Sequence, residues 1–224
     1  MTRLPRVACL AGVLAAAGGS GCGGETIRLG DCPHTMVPAS QVVWIGDSWV
    51  TIPGNQVTGV ESLAQQAGAI GASDAYTVDA KNGTLMAQIA AQYVAREATT
   101  PVKVLIMDGG TLDTIMNDSP TTVSSVVGTF SDLLTTIAND RTVTDVIYFL
   151  VPELPAIAGV AELRPLLEQA CMVSTVPCHF LDLQRFWSDT YTSSVAGGIF
   201  PNDMGGQVIA SQIWAVMQAS CIAQ

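Results

Sequence analysis

Histidine is nearly absent from the 224-residue sequence, which has only His34 and His179, and none of its six cysteines are spaced as CxxC. A closed zinc site draws on those residue types at short spacings, so no metal is expected, and no cofactor either. Charge is scarce too. Only 12% of residues are charged, and nine Lys and Arg face nineteen Asp and Glu, for a formal net charge of −10. A surface of that sign repels phosphate backbones and anionic headgroups, which excludes nucleic acid and electrostatic membrane docking as partner classes. Long apolar runs are also lacking. The leading one, from Val7 to Ala17, falls well short of the roughly 20 residues that a helix needs to cross a bilayer. There is no internal repeat and no low-complexity stretch.

What is present is buried-surface material: 49% of residues are hydrophobic, and the mean hydropathy is +0.39. Such a chain folds, and at this length one α/β domain is the natural reading. Its first residues have a different character. Arg3 and Arg6 precede the apolar run, and Gly18, Gly19, Ser20, Gly21 and Cys22 follow it, which is the layout of an export signal. The Gly-Ser-Gly-Cys ending resembles a bacterial lipobox, with Gly19 departing from the usual aliphatic residue. The resemblance implies that residues 1–21 are removed and Cys22 is acylated, leaving 22–40 as a tether and N-terminal arm ahead of a domain at 41–224. The expected location is outside the cytoplasm, lipid-anchored to the envelope or otherwise secreted, with membrane contact only through that anchor.

With Cys9 removed and Cys22 carrying lipid, four cysteines remain to pair: Cys32, Cys171, Cys178 and Cys221. An even number in an exported protein suggests two disulfides, although three pairings are open. The favoured one joins Cys171 with Cys178 across a short loop and Cys32 with Cys221 across the ends of the domain.

From residue 41 onward, short and nearly continuous apolar runs alternate with longer helical patterns. Strands are expected at Gln41 to Ile45, Ala75 to Asp79, Val102 to Met107, Asp145 to Leu150 and His179 to Leu183, each covered on both faces. Helices are expected near Val60 to Ala69, Leu85 to Glu97, Val123 to Asn139, Ala161 to Cys171 and Gly206 to Ala219. Strict alternation implies a five-stranded parallel sheet between two helical layers, an α/β/α sandwich of flavodoxin-like type. Ligands of such sheets sit outside the carboxyl ends of the strands, so the loops that follow the strands are where a site belongs.

The first of those loops reads Gly46-Asp47-Ser48-Trp49, where Gly46 permits a tight turn, Asp47 can accept backbone N–H groups, and Ser48 is presented at the sheet edge. Asn82-Gly83-Thr84 follows the second strand, Gly109-Gly110-Thr111-Leu112-Asp113 the third, and Phe200-Pro201-Asn202 opens the last helix. This succession resembles the SGNH, or GDSL, hydrolase family of lipases and esterases over residues 41 to 219. The resemblance makes Ser48 the nucleophile and the Gly83 N–H an oxyanion donor. It also marks three departures. Leu112 stands where the family has its oxyanion asparagine, Phe200 where it has the histidine base, and Gly197 where it has the aspartate that orients that base.

A serine hydroxyl needs a neighbouring base to attack a carbonyl, and phenylalanine cannot accept a proton. His179 precedes the fifth strand, so it is expected at the amino end of the sheet, away from Ser48. His34 reads as a surface residue of the arm. Asp108, Asp113 and Asp203 lie near the correct edge by sequence. Asp113 and Asp203 are the candidate substitute carboxylates, with loop support and capping of the last helix as their simpler roles. Leu112 and Phe200 make the centre of the site apolar, with Trp49 as a wall: either a small-molecule pocket or closed core. The sequence therefore suggests an exported pseudo-hydrolase that binds a small acyl or carbohydrate ligand. The alternative is an active acyl- or carbohydrate-ester hydrolase using Ser48 and a non-standard base.

Overall fold

In the computed structural model, which describes residue 32 and residues 37–155, 157, 159–193 and 198–223, the apolar runs form the strands of one sheet. Cys22 with its leading segment, His34 and Gly197 lie outside the described residues. The strands are Val42–Ile45 (β1), Thr77–Val78 (β2), Val104–Met107 (β3), Asp145–Leu150 (β4) and Cys178–Asp182 (β5). All pair in parallel, in the order β2-β1-β3-β4-β5. Every residue of β1 and β3 is buried, as is all of β4 after Asp145, as expected of strands covered on both faces. The edge strands β2 and β5 are only partly covered, which corrects the expectation of two-sided burial for all five.

Among the described residues, seven helices cover the sheet: Ser48–Thr51 (α1), Asn55–Ala67 (α2), Met86–Glu97 (α3), Thr111–Met116 (α4), Pro120–Asp140 (α5), Val160–Met172 (α6) and Asp203–Ala219 (α7). Helices α2 and α7 pack together, and α5 packs against both α3 and α6, which gives the expected three layers. Several boundaries differ from the expectation. Helix α2 starts at Asn55 rather than near Val60, because its first turn is anchored by polar groups rather than an apolar stripe: the buried Gln56 carboxamide donates to the Trp49 and Val50 carbonyls. Gln41 belongs to a short 3₁₀ turn, Ala39–Gln41, instead of β1. Strand β2 shrinks to two residues on the sheet edge. Helices α1 and α4, with four and six residues, carry too few turns to leave a periodicity.

Both expected disulfides are present, Cys32–Cys221 and Cys171–Cys178. The first fastens the residue before the domain to the segment after α7. The second closes the turn between α6 and β5.

The chain reverses direction across the sheet between β1 and β3. From β1 it moves outward to β2, then returns to the other flank of β1 as β3. The loops after β1 and β3 therefore diverge around a crevice at the carboxyl edge, the place where this kind of sheet holds its ligands.

Candidate active site

The turn after β1 is built around Gly46. Its φ of +141° lies in a region that side chains avoid, and a Cβ there would meet Asp108 Oδ1 at 1.9 Å. Both backbone groups of Gly46 are held by one buried side chain: its N–H donates to Gln92 Oε1 at 2.8 Å, and its carbonyl accepts from Gln92 Nε2 at 3.1 Å. The same carbonyl accepts from Thr84 Oγ1 at 3.0 Å and from the Lys81 N–H at 3.0 Å, which ties the loop after β2 to the turn. Gln92 lies on α3, so three elements fix the point where the chain leaves the sheet.

Asp47 caps α1 by accepting the Trp49 N–H at 2.9 Å, and its own N–H donates to Asp108 Oδ1 at 2.8 Å. The two carboxyls are buried together behind Ser48, Asp47 at 3% and Asp108 at 1% exposure. Burial pushes both above the usual carboxylate range. The neighbouring negative charge of Asp47 adds to burial at Asp108 and raises its carboxyl well above that range. Tyr148 on β4 secures the neighbouring loop, its hydroxyl donating to the Gly109 carbonyl at 2.7 Å.

Ser48 opens α1, so its N–H is a first-turn group with no acceptor inside the helix. Its hydroxyl lies at the mouth of the crevice, where it donates to Asn82 Oδ1 and accepts the Gly83 N–H at 3.2 Å. Gly83, at φ +74°, directs its N–H at the serine hydroxyl itself. The sequence by itself points to no role for Asn82. Its position beside Gly83 was visible, but the direction of its side chain depends on the turn geometry of the loop.

Asp47, Ser48, Trp49, Leu112 and Phe200, with Thr111 beneath and Ile115 and Ile199 at the rim, line one small cleft of about 70 Å³. The structure thus brings together Ser48, Leu112 and Phe200. The cleft is open, though small, so the closed-core alternative gives way to a narrow apolar slot. Phe200 is held by its backbone, its carbonyl accepting the Ser193 N–H at 2.8 Å. Trp49 packs on Trp187, ring centroids 5.3 Å apart, and Trp187 meets Tyr191 edge-on at 5.7 Å, making an aromatic wall behind the slot.

Other candidate groups have different partners. His179 bonds Asp145 Oδ1 through Nε2 at 3.0 Å, at the amino ends of β5 and β4, the edge of the sheet opposite Ser48. Asp113 accepts the Met86 N–H at 2.9 Å and so joins α4 to the start of α3, while burial raises its carboxyl above the usual range. Asp203 is exposed in the first turn of α7. It does not cap that helix, which corrects the role expected for it. The cap is Asn202, whose side chain accepts the Gly205 N–H at 3.0 Å and whose amide donates to the Thr190 and Thr192 carbonyls. Among the described residues, Ser48 Oγ has an amide oxygen and a peptide N–H as its hydrogen-bond partners, and neither an imidazole nor a carboxylate.

No protein-family model matches the sequence, and no curated protein matches it. Solved structures do match the fold. A family 3 carbohydrate esterase from Clostridium thermocellum is 15% identical, covers 81% of this chain and 98% of its own, and superposes with a TM-score of 0.64. A lipase/acylhydrolase from Enterococcus faecalis is also 15% identical, with 80% and 95% covered and a TM-score of 0.63. A GDSL-like lipase from Bacteroides thetaiotaomicron is 14% identical, with 80% and 88% covered and a TM-score of 0.59. Together they show that the chain has the fold of the SGNH/GDSL hydrolases.

Proposed function

We propose that this SGNH-fold chain is a pseudo-hydrolase: it keeps the serine turn of an esterase as a binding feature and does not turn esters over. The observation that carries the reading is the pair of partners at Ser48 Oγ, the Asn82 carboxamide oxygen and the Gly83 N–H. An amide oxygen is far too weak a base to remove a hydroxyl proton near neutral pH, so it orients the serine without activating it. Phe200 and Leu112 line the cleft beside that hydroxyl and offer neither an acceptor nor a donor. Losing one oxyanion donor alone costs about 2.7 to 4 kcal/mol in a serine hydrolase, and losing the base costs more.

The slot still suits a ligand. A cleft of about 70 Å³ takes a few non-hydrogen atoms, which fits an acetyl-sized group and not a long acyl chain. The carbohydrate-esterase likeness makes an acetylated or otherwise acylated sugar the favoured ligand class. The two disulfides support a location outside the reducing cytoplasm, with the acylated Cys22 as the anchor.

The test is hydrolysis of short-chain aryl esters and acetylated sugars by the purified mature protein and by Ser48→Ala. Equal, background-level rates support the reading. Turnover that disappears in Ser48→Ala overturns it. For the anchor, Cys22→Ser should move the protein from the membrane fraction to the soluble one, and unchanged partition contradicts the anchor.

A further inference from the structure

The hydroxyl of Ser48 bridges the two groups of one dipeptide. It accepts the N–H of Gly83 at 3.2 Å and donates to the side-chain carbonyl of Asn82, the residue just before it. An Asn-Gly pair is chemically special, because the backbone nitrogen of the glycine can attack the side-chain carbonyl of the asparagine, and no Cβ hinders the approach. Here both residues are exposed, and the space where a Gly83 Cβ would stand holds nothing within 4 Å, so water has access. We infer that Asn82 is a self-modification site that deamidates with Ser48 as the proton relay.

The step balances as follows. Gly83 N attacks Asn82 Cγ and an N–Cγ bond forms. As that bond forms, Asn82 Oδ1 becomes the oxyanion of a tetrahedral centre, far more basic than the resting amide, and takes the Ser48 hydroxyl proton while the Gly83 N–H proton passes to Ser48 Oγ, so the serine ends as it began. The Cγ–Nδ2 bond then breaks, the proton on Oδ1 goes to the departing nitrogen, and ammonia leaves a five-membered succinimide. Water opens the ring at either carbonyl to give aspartate or isoaspartate. The net change consumes one water, releases one ammonia and involves no oxidant or reductant. A hydroxyl that accepts from the nucleophile and donates to the electrophile is placed for both proton transfers at once, the arrangement that general acid–base assistance requires.

This inference rests on the same reading of Ser48, a hydroxyl with no base to serve. Its product is a carboxylate at the mouth of the cleft, beside the Gly83 N–H.

The test follows the mass of the peptide containing residue 82 while the folded protein stands in mildly alkaline heavy-oxygen water, for wild type and for Ser48→Ala checked for native circular dichroism. In the wild type the peptide should gain the mass of one deamidation with one heavy oxygen, about tenfold faster than in Ser48→Ala. In denaturant the two proteins should react at the same rate, because the relay geometry is gone. A native wild-type rate no faster than that of Ser48→Ala, a rate difference that survives denaturation, or mass gain only at another asparagine overturns the inference. Ester turnover is a separate readout, so this proposal and the pseudo-hydrolase reading can fail independently.

Discussion

Gly46 and Asp108 lie so close that a methyl group on the glycine would sit 1.9 Å from the Asp108 Oδ1 atom. The contact joins the turn after β1 to the loop after β3 across the crevice, and it places the serine turn. Gly46→Ala should therefore combine a forbidden backbone conformation with a clash against a buried carboxyl, for a loss of at least about 2 to 4 kcal/mol in denaturant unfolding. Gly68→Ala serves as the comparison. Gly68 also has a positive φ, +76°, but nothing lies within 4 Å of its missing Cβ, so the loss should stay near about 1 kcal/mol.

The buried Asp47–Asp108 pair should make stability depend on pH in a defined direction. Burial and the neighbouring carboxyl raise the Asp108 pKa in the folded state, whereas the unfolded chain releases that proton near the ordinary value of 3.8. The native state then holds a proton that the unfolded state has lost, so this contribution is fully present in acid. It declines as pH rises from about 4 until folded Asp108 itself ionises. Asp108→Asn keeps an oxygen for the Asp47 N–H and removes the titration. Denaturation midpoints across the pH range should show the variant gaining on wild type as pH rises, with the two converging in acid. A gain that appears only in acid would contradict the assignment.

The two disulfides should differ in weight. Their sequence separations are 189 residues for Cys32–Cys221 and 7 for Cys171–Cys178. Loop-closure entropy then predicts a loss of about 5 kcal/mol on removing the first and about 2.5 kcal/mol on removing the second. Chemical denaturation of Cys32→Ser with Cys221→Ser, against Cys171→Ser with Cys178→Ser, measures the difference.

Restoring the missing groups should restore chemistry. Leu112 and Phe200 share the cleft with Ser48, so Leu112→Asn and Phe200→His, combined with Gly197→Asp, supply a donor, a base and its orienting acid. The triple variant should hydrolyse short-chain aryl esters at least about a hundredfold faster than wild type. No gain in a folded protein would show that these positions do not correspond to the catalytic ones.

The layers and strand sequence were legible because β1, β3 and β4 carry their burial in the sequence as unbroken apolar runs, and burial on both faces requires that pattern. The glycines of the site were legible as well: Gly46 and Gly83 mark turns that other residues resist. The polar contacts that shape the site were not. Gln92 grips Gly46 across 46 residues, and Asp108 meets Asp47 across 61, so neither pairing leaves a local trace. Asp203 was assigned the cap of α7 when Asn202 fills it, because adjacent capping types differ in sequence only by register. Asn82 likewise meets Ser48 across 34 residues, so that contact leaves no local trace either.

The most direct test of the central claim is the rate at which Ser48 is phosphonylated by a fluorophosphonate probe, read by mass spectrometry of the peptide containing it. A serine whose hydroxyl is held by an amide oxygen and a peptide N–H should label no faster than an ordinary surface serine. Rapid, stoichiometric labelling of Ser48 in the wild-type protein would contradict the account.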